Sequence, residues 1–428
     1  MNVGVIGTGF VGLVTGACLA NKKNQVICID IDKKKIQKLN KNILPFYEKG
    51  LKKLITTKIS KSIYFVDNYK NVNYLDLLFI TVGTPLVKNK VQLQYIEKAI
   101  VQILKSYNGK KKILIVLKST IPPGTTEYLY NKYFKKFKNL SLINNPEFLR
   151  EGSAVKDFKK PDRIIIGYRK GDSIKKLLNI YQEYKCPLFK MSWSESEISK
   201  YYSNTFFSLL ITFANQFSYI CDKLKDVNQF NITKSLMADR RISKDKFVPD
   251  LEKYLVPGVG FGGSCFPKDI GGIKSIFLKE KLKTDIFDSI LKINKNSLNH
   301  STKIIRKNIK PKSTICILGA SFKEGTDDIR ESRTLSIIKE LKKNNYKIII
   351  YDPVVKSIGG IKCKKFIASE VKKYKNFLLM TRWNEFKKIY HIKFKTLTKI
   401  IDLRCLYKKN KFISNKVQLI PIGNGALI

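Results

Sequence analysis

"NVGVIGTGFVG", residues 2–12, runs an apolar strand pattern into Gly7-x-Gly9-x-x-Gly12, and the helix-like "LVTGACLANK" follows. Glycines at this spacing allow a tight turn, let the backbone approach a pyrophosphate, and open a helix whose N-terminus attracts the anion. The next strand, "QVICID", ends at Asp30, where an acid can accept hydrogen bonds from ribose hydroxyls. Strand, glycine turn, helix and acid in this order predict a dinucleotide site, with Gly7, Gly9, Phe10, Val11, Gly12 and Asp30 along the cofactor. Asp30 would repel a 2′-phosphate, which favours NAD over NADP.

Further strand patterns, "LDLLFITVGTP" and "KILIVLKST", end in small or polar residues. In an open parallel sheet such C-terminal strand ends face the ligand crevice. Thr84, Pro85, Ser119 and Thr120 are thereby placed near the cofactor, although each could equally be a simple turn residue. A second α/β unit appears late: "STICILGASFKEGTDD" reads as a strand and a small-residue turn, "TLSIIKELKKN" as a helix, and "YKIIIYDP" as a strand ending in Asp352. The predicted fold class is α/β: two Rossmann-like doubly wound parallel-sheet domains joined by a central helical region with a long helix. The expected boundaries are 1–192, 193–310 and 311–428, with Pro311 marking the second.

Length and composition fit this plan. A chain of 428 residues, 43% of them hydrophobic, is too long for one ordinary core. The longest apolar region, Ile198 to Ile220, is interrupted by Lys200, Asn204, Asn215 and Gln216, which predicts a buried helix and no membrane span. No secretory signal pattern is visible, so the expected location is cytoplasmic. Eight scattered cysteines form no CxxC pair, and with two histidines no metal site is expected. The net charge of +48 raises a nucleic-acid partner, yet only ten of the 82 basic residues are arginine. The lysine is strewn along the chain, as in a solvated coat, and a nucleic-acid face is not expected.

Two stretches of the middle region carry chemistry. Glu197, Lys200, Tyr201 and Asn204 fall at i, i+3, i+4 and i+7, one helical face. Spacing alone fits a solvated stripe with a Glu-Lys pair as well as it fits a pocket, but the helix is otherwise apolar all round. "VPGVGFGGSCFPKDIGG" runs from a glycine loop into a helix, with Pro267 suited to the first turn and Asp269 favourable near its positive end. Cys265, beside Lys268 at that helix start, is in a setting that favours thiolate. In an NAD protein such a nucleophile can capture an aldehyde as a thiohemiacetal, which surrenders hydride to become a thioester.

"GTGFVG", "LKSTIPPGTT", "NNPEFLREGSAVKDFKKPDRIIIG", the Lys200 to Asn204 helix, "ADRRI", "PGVGFGGSCFPKD", "SFKEGTDDIRESR" and "DLR" at Asp402 to Arg404 resemble, in order, the motifs of the UDP-glucose/GDP-mannose dehydrogenase family. The resemblance spans essentially the whole chain. It implies a four-electron oxidation of a nucleotide sugar's C6 hydroxyl to a carboxylate, using two NAD and a covalent thioester. By motif, Cys265 would be the nucleophile, and Lys200 and Asn204 would stabilise the oxyanion on C6. Asp269 and Thr120 would hold a water that takes the first proton, with Lys200 the competing candidate. Glu147 would assist thioester hydrolysis, and Glu151 would contact cofactor or water. Lys33, Thr84, Thr120, Glu151, Lys268 and Arg330 join the glycine turn and Asp30 around NAD. The resemblance gives the sugar nucleotide Glu147, Phe148, Leu149, Lys200, Asn204, Cys265, the loop from Tyr254 through Gly260 and Phe261 to Gly262, Lys323 and Arg404. Arg241 would reach the sugar from the partner subunit of a homodimer.

Departures are local: Ser243 follows "RRI" where the family usually has Gly, and Cys405 follows Arg404 where Asn is common. Gly-Ser-Cys at 263–265 argues against the branch oxidising N-acetylmannosamine nucleotides. A UDP-sugar, UDP-glucose first, is the expected substrate and UDP-glucuronate the product; GDP-mannose or another nucleotide sugar is the alternative. A two-electron hydroxy-acid dehydrogenase, or a nucleic-acid-binding protein on an inactive scaffold, are the rival classes.

Overall fold

In the computed structural model, residues 1–242 and 250–428 are described, so Ser243 lies outside the described residues. The chain forms two compact units: an N-terminal unit, Met1–Ser203 with Gly271–Leu282, and a C-terminal unit, Asn204–Ile270 with Lys283–Ile428.

The N-terminal unit begins with β1 (Asn2–Ile6), α1 (Phe10–Leu19), β2 (Gln25–Ile29), α2 (Lys33–Asn40), α3 (Leu51–Lys58), β3 (Ile63–Val66) and β4 (Leu77–Ile80). A two-stranded hairpin, β5 (Leu86–Val87) with β6 (Lys90–Val91), precedes α4 (Gln94–Ser106), β7 (Ile113–Leu117), α5 (Thr125–Leu129) and β8 (Leu140–Asn144). The unit continues through α6 (Ala154–Lys159), β9 (Ile164–Gly167), α7 (Lys175–Tyr181) and β10 (Leu188–Met191). Its main sheet has the order β10-β9-β8-β7-β4-β1-β2-β3. From β3 to β8 every pairing is parallel, the doubly wound order with its switch point beside β1. β9 turns antiparallel to β8.

These strands read as unbroken apolar runs because both faces are covered. Leu77 and Phe79 pack into one core with Val3, Val5 and Val116, while Leu78 and Ile80 enter the opposite core with Ile6, Ile115 and Leu117. The period of two along each strand thus feeds two separate cores.

The long helix α8 (Trp193–Cys221) is followed by α9 (Gln229–Met237), α10 (Phe266–Lys279) and α11 (Asp285–Asn308), in keeping with the helical middle expected from the sequence. The C-terminal unit then forms β11 (Thr314–Leu318), α12 (Arg333–Lys343), β12 (Lys347–Tyr351), β13 (Ser357–Ile358), β14 (Ile361–Lys364), α13 (Ala368–Val371), β15 (Asn376–Leu379), β16 (Thr398–Asp402) and β17 (Val417–Pro421). The sheet order is β13-β14-β12-β11-β15-β16-β17, parallel except for the β13 edge. This repeats the strand order of the first unit, and both Rossmann-like sheets predicted from the sequence are present.

The acid at the end of the second strand plays the same structural part in each unit. Asp30 accepts from the backbone N–H and hydroxyl of Thr8 at 2.8 and 2.7 Å. Asp352 accepts from Ala320 N at 2.8 Å, and its other oxygen accepts from Val354 N and Val355 N. Among the described residues, no helix is long and apolar enough to cross a membrane.

Candidate active site

The turn after β1 fits a dinucleotide. Gly7 has φ +92°, and a Cβ on Gly12 would stand 1.8 Å from the Gly7 carbonyl oxygen, so neither position admits a side chain without displacing the helix start. Gly9 is the N-cap of α1, is exposed, and has open space where a Cβ would point. No acidic residue occupies the first turn of α1, leaving its positive end available to an anion. Phe10 and Val11 begin that helix, half-buried.

At Asp30, burial works against the charge, but hydrogen bonds from Lys35, Asp32 N and Thr8 outweigh it and hold the carboxyl below the usual range. Lys35, not Lys33, reaches Asp30, at 2.9 Å; Lys33 is exposed as the first residue of α2. Thr84, buried beyond β4, donates to the Thr120 carbonyl at 2.7 Å, joining the two predicted strand-end residues. Glu151 is half-buried in the turn before α6.

A second cluster of the N-terminal unit gathers around Glu147. One carboxylate oxygen accepts from Leu149 N at 2.6 Å, and the other lies 3.2 Å from the Lys200 ammonium; Glu147 is 9% exposed and Lys200 5%. Phe148 carries the Arg163 guanidinium over its ring at 3.9 Å and the Lys200 ammonium at 5.2 Å. The solvated reading of the α8 stripe is overturned, since Glu197, Lys200, Tyr201 and Asn204 are all buried. Glu197 forms no solvated pair with Lys200: its carboxylate accepts from Gly124 N at 2.7 Å and from Thr126 N and Oγ1 at 2.6 Å. Burial pushes its pKa up to about 7 despite those donors.

In the C-terminal unit, Cys265 immediately precedes α10, and its carbonyl accepts from Asp269 N at 2.8 Å. Among the described residues it is the exposed cysteine; the other seven are buried or half-buried. Burial pushes Cys28, for instance, up to about 12, so that thiol behaves as a core hydrophobe. A thiol at a helix N-terminus is where the dipole favours thiolate. One turn on, Asp269 is 2% exposed; it accepts from the Asn204 amide at 2.6 Å and pairs with Lys268 at 2.5 Å.

The loop leading to Cys265 is fixed by close approaches. A Cβ on Gly260 would lie 2.3 Å from Asn294 Oδ1, and one on Gly262 would lie 2.2 Å from the Glu331 carbonyl. Phe261 is buried; its N–H donates to Asn294 at 2.8 Å and its carbonyl accepts from Arg333 at 2.9 Å. Tyr254 stacks on Phe207 with centroids 4.4 Å apart. Arg404, two residues beyond β16, donates to the Met380 carbonyl at 2.8 Å; burial, then the nearby Arg382 charge, lowers it to about 10. Lys323 is half-buried beyond β11. Arg330 and Arg241 are exposed and grip Asp328 and Asp239 respectively.

Sequence reasoning missed three groups. Asn294 clamps Phe261 from both sides of its peptide, and Lys35 shares Asp30. Lys118 lies buried behind Glu147 with Asn145 and Tyr181. A lysine closing an otherwise wholly apolar strand was the signal available for the last.

Three family domain models of UDP-glucose/GDP-mannose dehydrogenases match: the NAD binding domain at residues 1–185, the central domain at 194–296 and the UDP binding domain at 316–409. A UDP-glucose 6-dehydrogenase of Rickettsia prowazekii is 35% identical over 94% of this chain and 95% of its own. The UDP-glucose 6-dehydrogenase YwqF of Bacillus subtilis is 31% identical over 100% and 99%. Among solved structures, a UDP-glucose dehydrogenase from Pyrobaculum islandicum is 28% identical with a TM-score of 0.85, covering 97% of this chain and 96% of that one.

Proposed function

The chain belongs to the UDP-glucose/GDP-mannose dehydrogenase family and is an NAD-dependent nucleotide-sugar dehydrogenase; within that activity we propose that it oxidises UDP-glucose at C6 to UDP-glucuronate through a Cys265 thioester. The observation that carries this reading is Cys265 itself, an exposed thiol at the start of α10, one turn from the Asn204–Asp269–Lys268 cluster. The similarity to curated UDP-glucose 6-dehydrogenases supports the choice of sugar.

The glycine turn, Asp30, Lys33, Thr84, Thr120, Glu151, Lys268 and Arg330 would hold NAD. Bound NAD⁺ supplies the hydride acceptor for both oxidations. In the first, the C6 hydroxyl loses its proton to a water held by Asp269 and Thr120, or to Lys200, as C6 gives up hydride and becomes an aldehyde carbon. The Cys265 thiolate then forms a C–S bond to that carbon, and the oxyanion is stabilised by Lys200 and Asn204. Loss of the second hydride from the same carbon leaves a thioester. Glu147 directs a water onto it, the C–S bond breaks, and the carboxylate leaves as the thiolate is restored. Each sugar thus consumes one water and surrenders two hydrides.

Phe148, Leu149, the Tyr254–Gly262 loop, Lys323 and Arg404 would grip the UDP-sugar. Residues 1–192, 193–310 and 311–428 would serve respectively as the NAD domain, the central helical region and the UDP-sugar domain. A homodimer accounts for the apolar side chains left exposed on α8 and α9: Phe206, Phe213, Phe217 and Ile220, with Phe230, Ile232 and Leu236. A cytoplasmic location agrees with eight cysteines that form no disulfide among the described residues.

The test is NADH stoichiometry with a panel of UDP- and GDP-sugars, run beside Cys265→Ser. Two NADH per UDP-glucose and a uronic acid product are expected, with acid formation lost in the variant. One NADH per sugar, or full conversion by Cys265→Ser, would sink the covalent mechanism; turnover confined to GDP-mannose would move the substrate to the family's other branch.

A further inference from the structure

Lys118 follows the apolar strand β7 with a charge that the proposed chemistry does not use, and its side chain is only 5% exposed. The ammonium donates to Asn145 Oδ1 at 2.9 Å and to the Tyr181 hydroxyl at 3.4 Å, and it lies over the rings of Phe79 and Tyr181. Asn145 is itself pinned. Its Oδ1 also accepts from Tyr181 OH at 2.6 Å, its Nδ2 donates to the Ile165 carbonyl at 2.7 Å, and its N–H donates to Leu117 at 2.8 Å. One proline separates this anchored residue from Glu147, whose carboxylate is held by Leu149 N and Lys200.

Lys118, Asn145, Glu147 and Tyr181 line one cavity of the N-terminal unit. The other charged groups on its wall are Asp157, Lys160, Asp162 and Arg163, of which Asp157 is engaged by Arg150 at 2.7 Å. Burial lowers Lys118 to about 8, with Glu147 drawing it back up and Lys200 pushing it further down. Two ammoniums beside one carboxylate leave a net positive site, which disfavours the second protonated amine.

We propose that Lys118 is a positioning residue for the Glu147–Lys200 pair: anchored on Asn145 and Tyr181, its ammonium fixes the turn that carries Glu147 and eases proton loss from Lys200. The inference rests on the roles given above to Glu147 in hydrolysis and Lys200 at C6.

The test compares Lys118→Met, near in size and uncharged, with Lys118→Arg and Tyr181→Phe, using UDP-glucose and NAD⁺. Removing a buried unit charge close to a titrating group moves that group's pKa by on the order of one unit. For Lys118→Met, both limbs of the kcat–pH profile are expected to move alkaline by about that amount, with kcat at neutral pH down on the order of tenfold and KM for NAD⁺ unchanged. Lys118→Arg should move the limbs back towards wild type, and Tyr181→Phe should shift them in the same direction as Lys118→Met but less. A purely structural lysine would lower melting temperature and kcat while leaving the limbs in place, and that outcome in folded Lys118→Met overturns the proposal. Failure of the functional reading is separately visible as wild-type protein that releases no NADH from UDP-glucose. In that event the coupling is read without turnover, by competitive acylation of the Lys200 peptide against pH and mass spectrometry. An unchanged Lys200 midpoint in Lys118→Met would equally refute it.

Discussion

Asn204 donates a 2.6 Å hydrogen bond to Asp269, tying the side chain of α8 to the first turn of the helix that starts after Cys265. Asp269 is buried and also pairs with Lys268, so the Asn204 amide both satisfies a desolvated carboxylate and sits beside the start of the helix that follows Cys265. Asn204→Ala removes that donor. The cost in stability is expected to be about 1–3 kcal/mol, the price of a buried acceptor left short. If that amide also serves as the proposed oxyanion donor, kcat falls by on the order of 100-fold with KM for NAD⁺ unchanged. Steady-state kinetics beside thermal melts separates the two effects, and a kcat loss no larger than the stability loss explains would remove Asn204 from the oxyanion site.

The glycine turn makes a different demand. With only 1.8 Å between a notional Gly12 Cβ and the Gly7 carbonyl, Gly12→Ala must push α1 away from the turn. NAD affinity is expected to fall by more than about tenfold, since the backbone can no longer close on the pyrophosphate. UDP binding, assigned to the C-terminal unit, should persist. Calorimetric titration with NAD⁺ and with UDP checks both, and equal losses for the two ligands would mean general misfolding.

The sequence made periodicity readable and left three-dimensional partnership hidden. Unbroken apolar runs such as Leu77–Ile80 declare a strand covered on both faces, and the glycine spacing at 7, 9 and 12 declares the turn, because these follow from local geometry. Asp30 was legible as the acid ending β2, but not that Lys35 would share it. Lys118, Asn145 and Tyr181 come from three segments, 27 and 36 residues apart along the chain, and no local pattern relates them. On α8, spacing could put Glu197 and Lys200 on one face, but it could not reveal that Glu197 turns to the N–H groups of Gly124 and Thr126.

Glu197 should leave a signature in stability against pH. Its folded pKa, near 7, lies above the ordinary value of 4.5 because burial penalises the charge. The folded state therefore binds the proton more tightly than the unfolded one, and the stabilisation is complete below pH 4.5 and lost as pH rises through 7. Relative to Glu197→Gln, which cannot titrate, wild-type stability should decline by about 3 kcal/mol across that window. Denaturant melts of both proteins from pH 4.5 to 8 measure the difference, and a constant offset would show that the three donors keep Glu197 ionised throughout.

Asp222 fastens the C-terminal segment of its unit. Fully buried, it receives His300 Nε2 at 2.6 Å on one oxygen, and the N–H groups of Gly423, Asn424 and Ala426 at 2.7, 3.0 and 3.2 Å on the other. Asp222→Ala strands all four donors and is expected to cost about 3–5 kcal/mol. Limited proteolysis should then cut within residues 423–428 well before the wild type is cut; protection at wild-type rates would mean that packing of Ala426 and Leu427 alone holds the segment.

Arg241 supplies the sharpest test of assembly. Its side chain is 89% exposed and is locked by three hydrogen bonds onto Asp239, so it projects from the C-terminal unit as a preformed guanidinium. If it serves the sugar in the partner's site, Arg241→Ala and Cys265→Ser are each inactive as homodimers, yet a mixed dimer contains one complete site: the Cys265 of one protomer with the Arg241 of the other. Statistical exchange makes half the dimers mixed, with one working site in two, so about a quarter of wild-type activity should return on mixing under exchange conditions. Mass spectrometry of the intact assemblies establishes that exchange occurred. Mixed dimers that form without recovering activity would place Arg241 outside the partner's site, and full activity in Arg241→Ala alone would remove it from sugar binding.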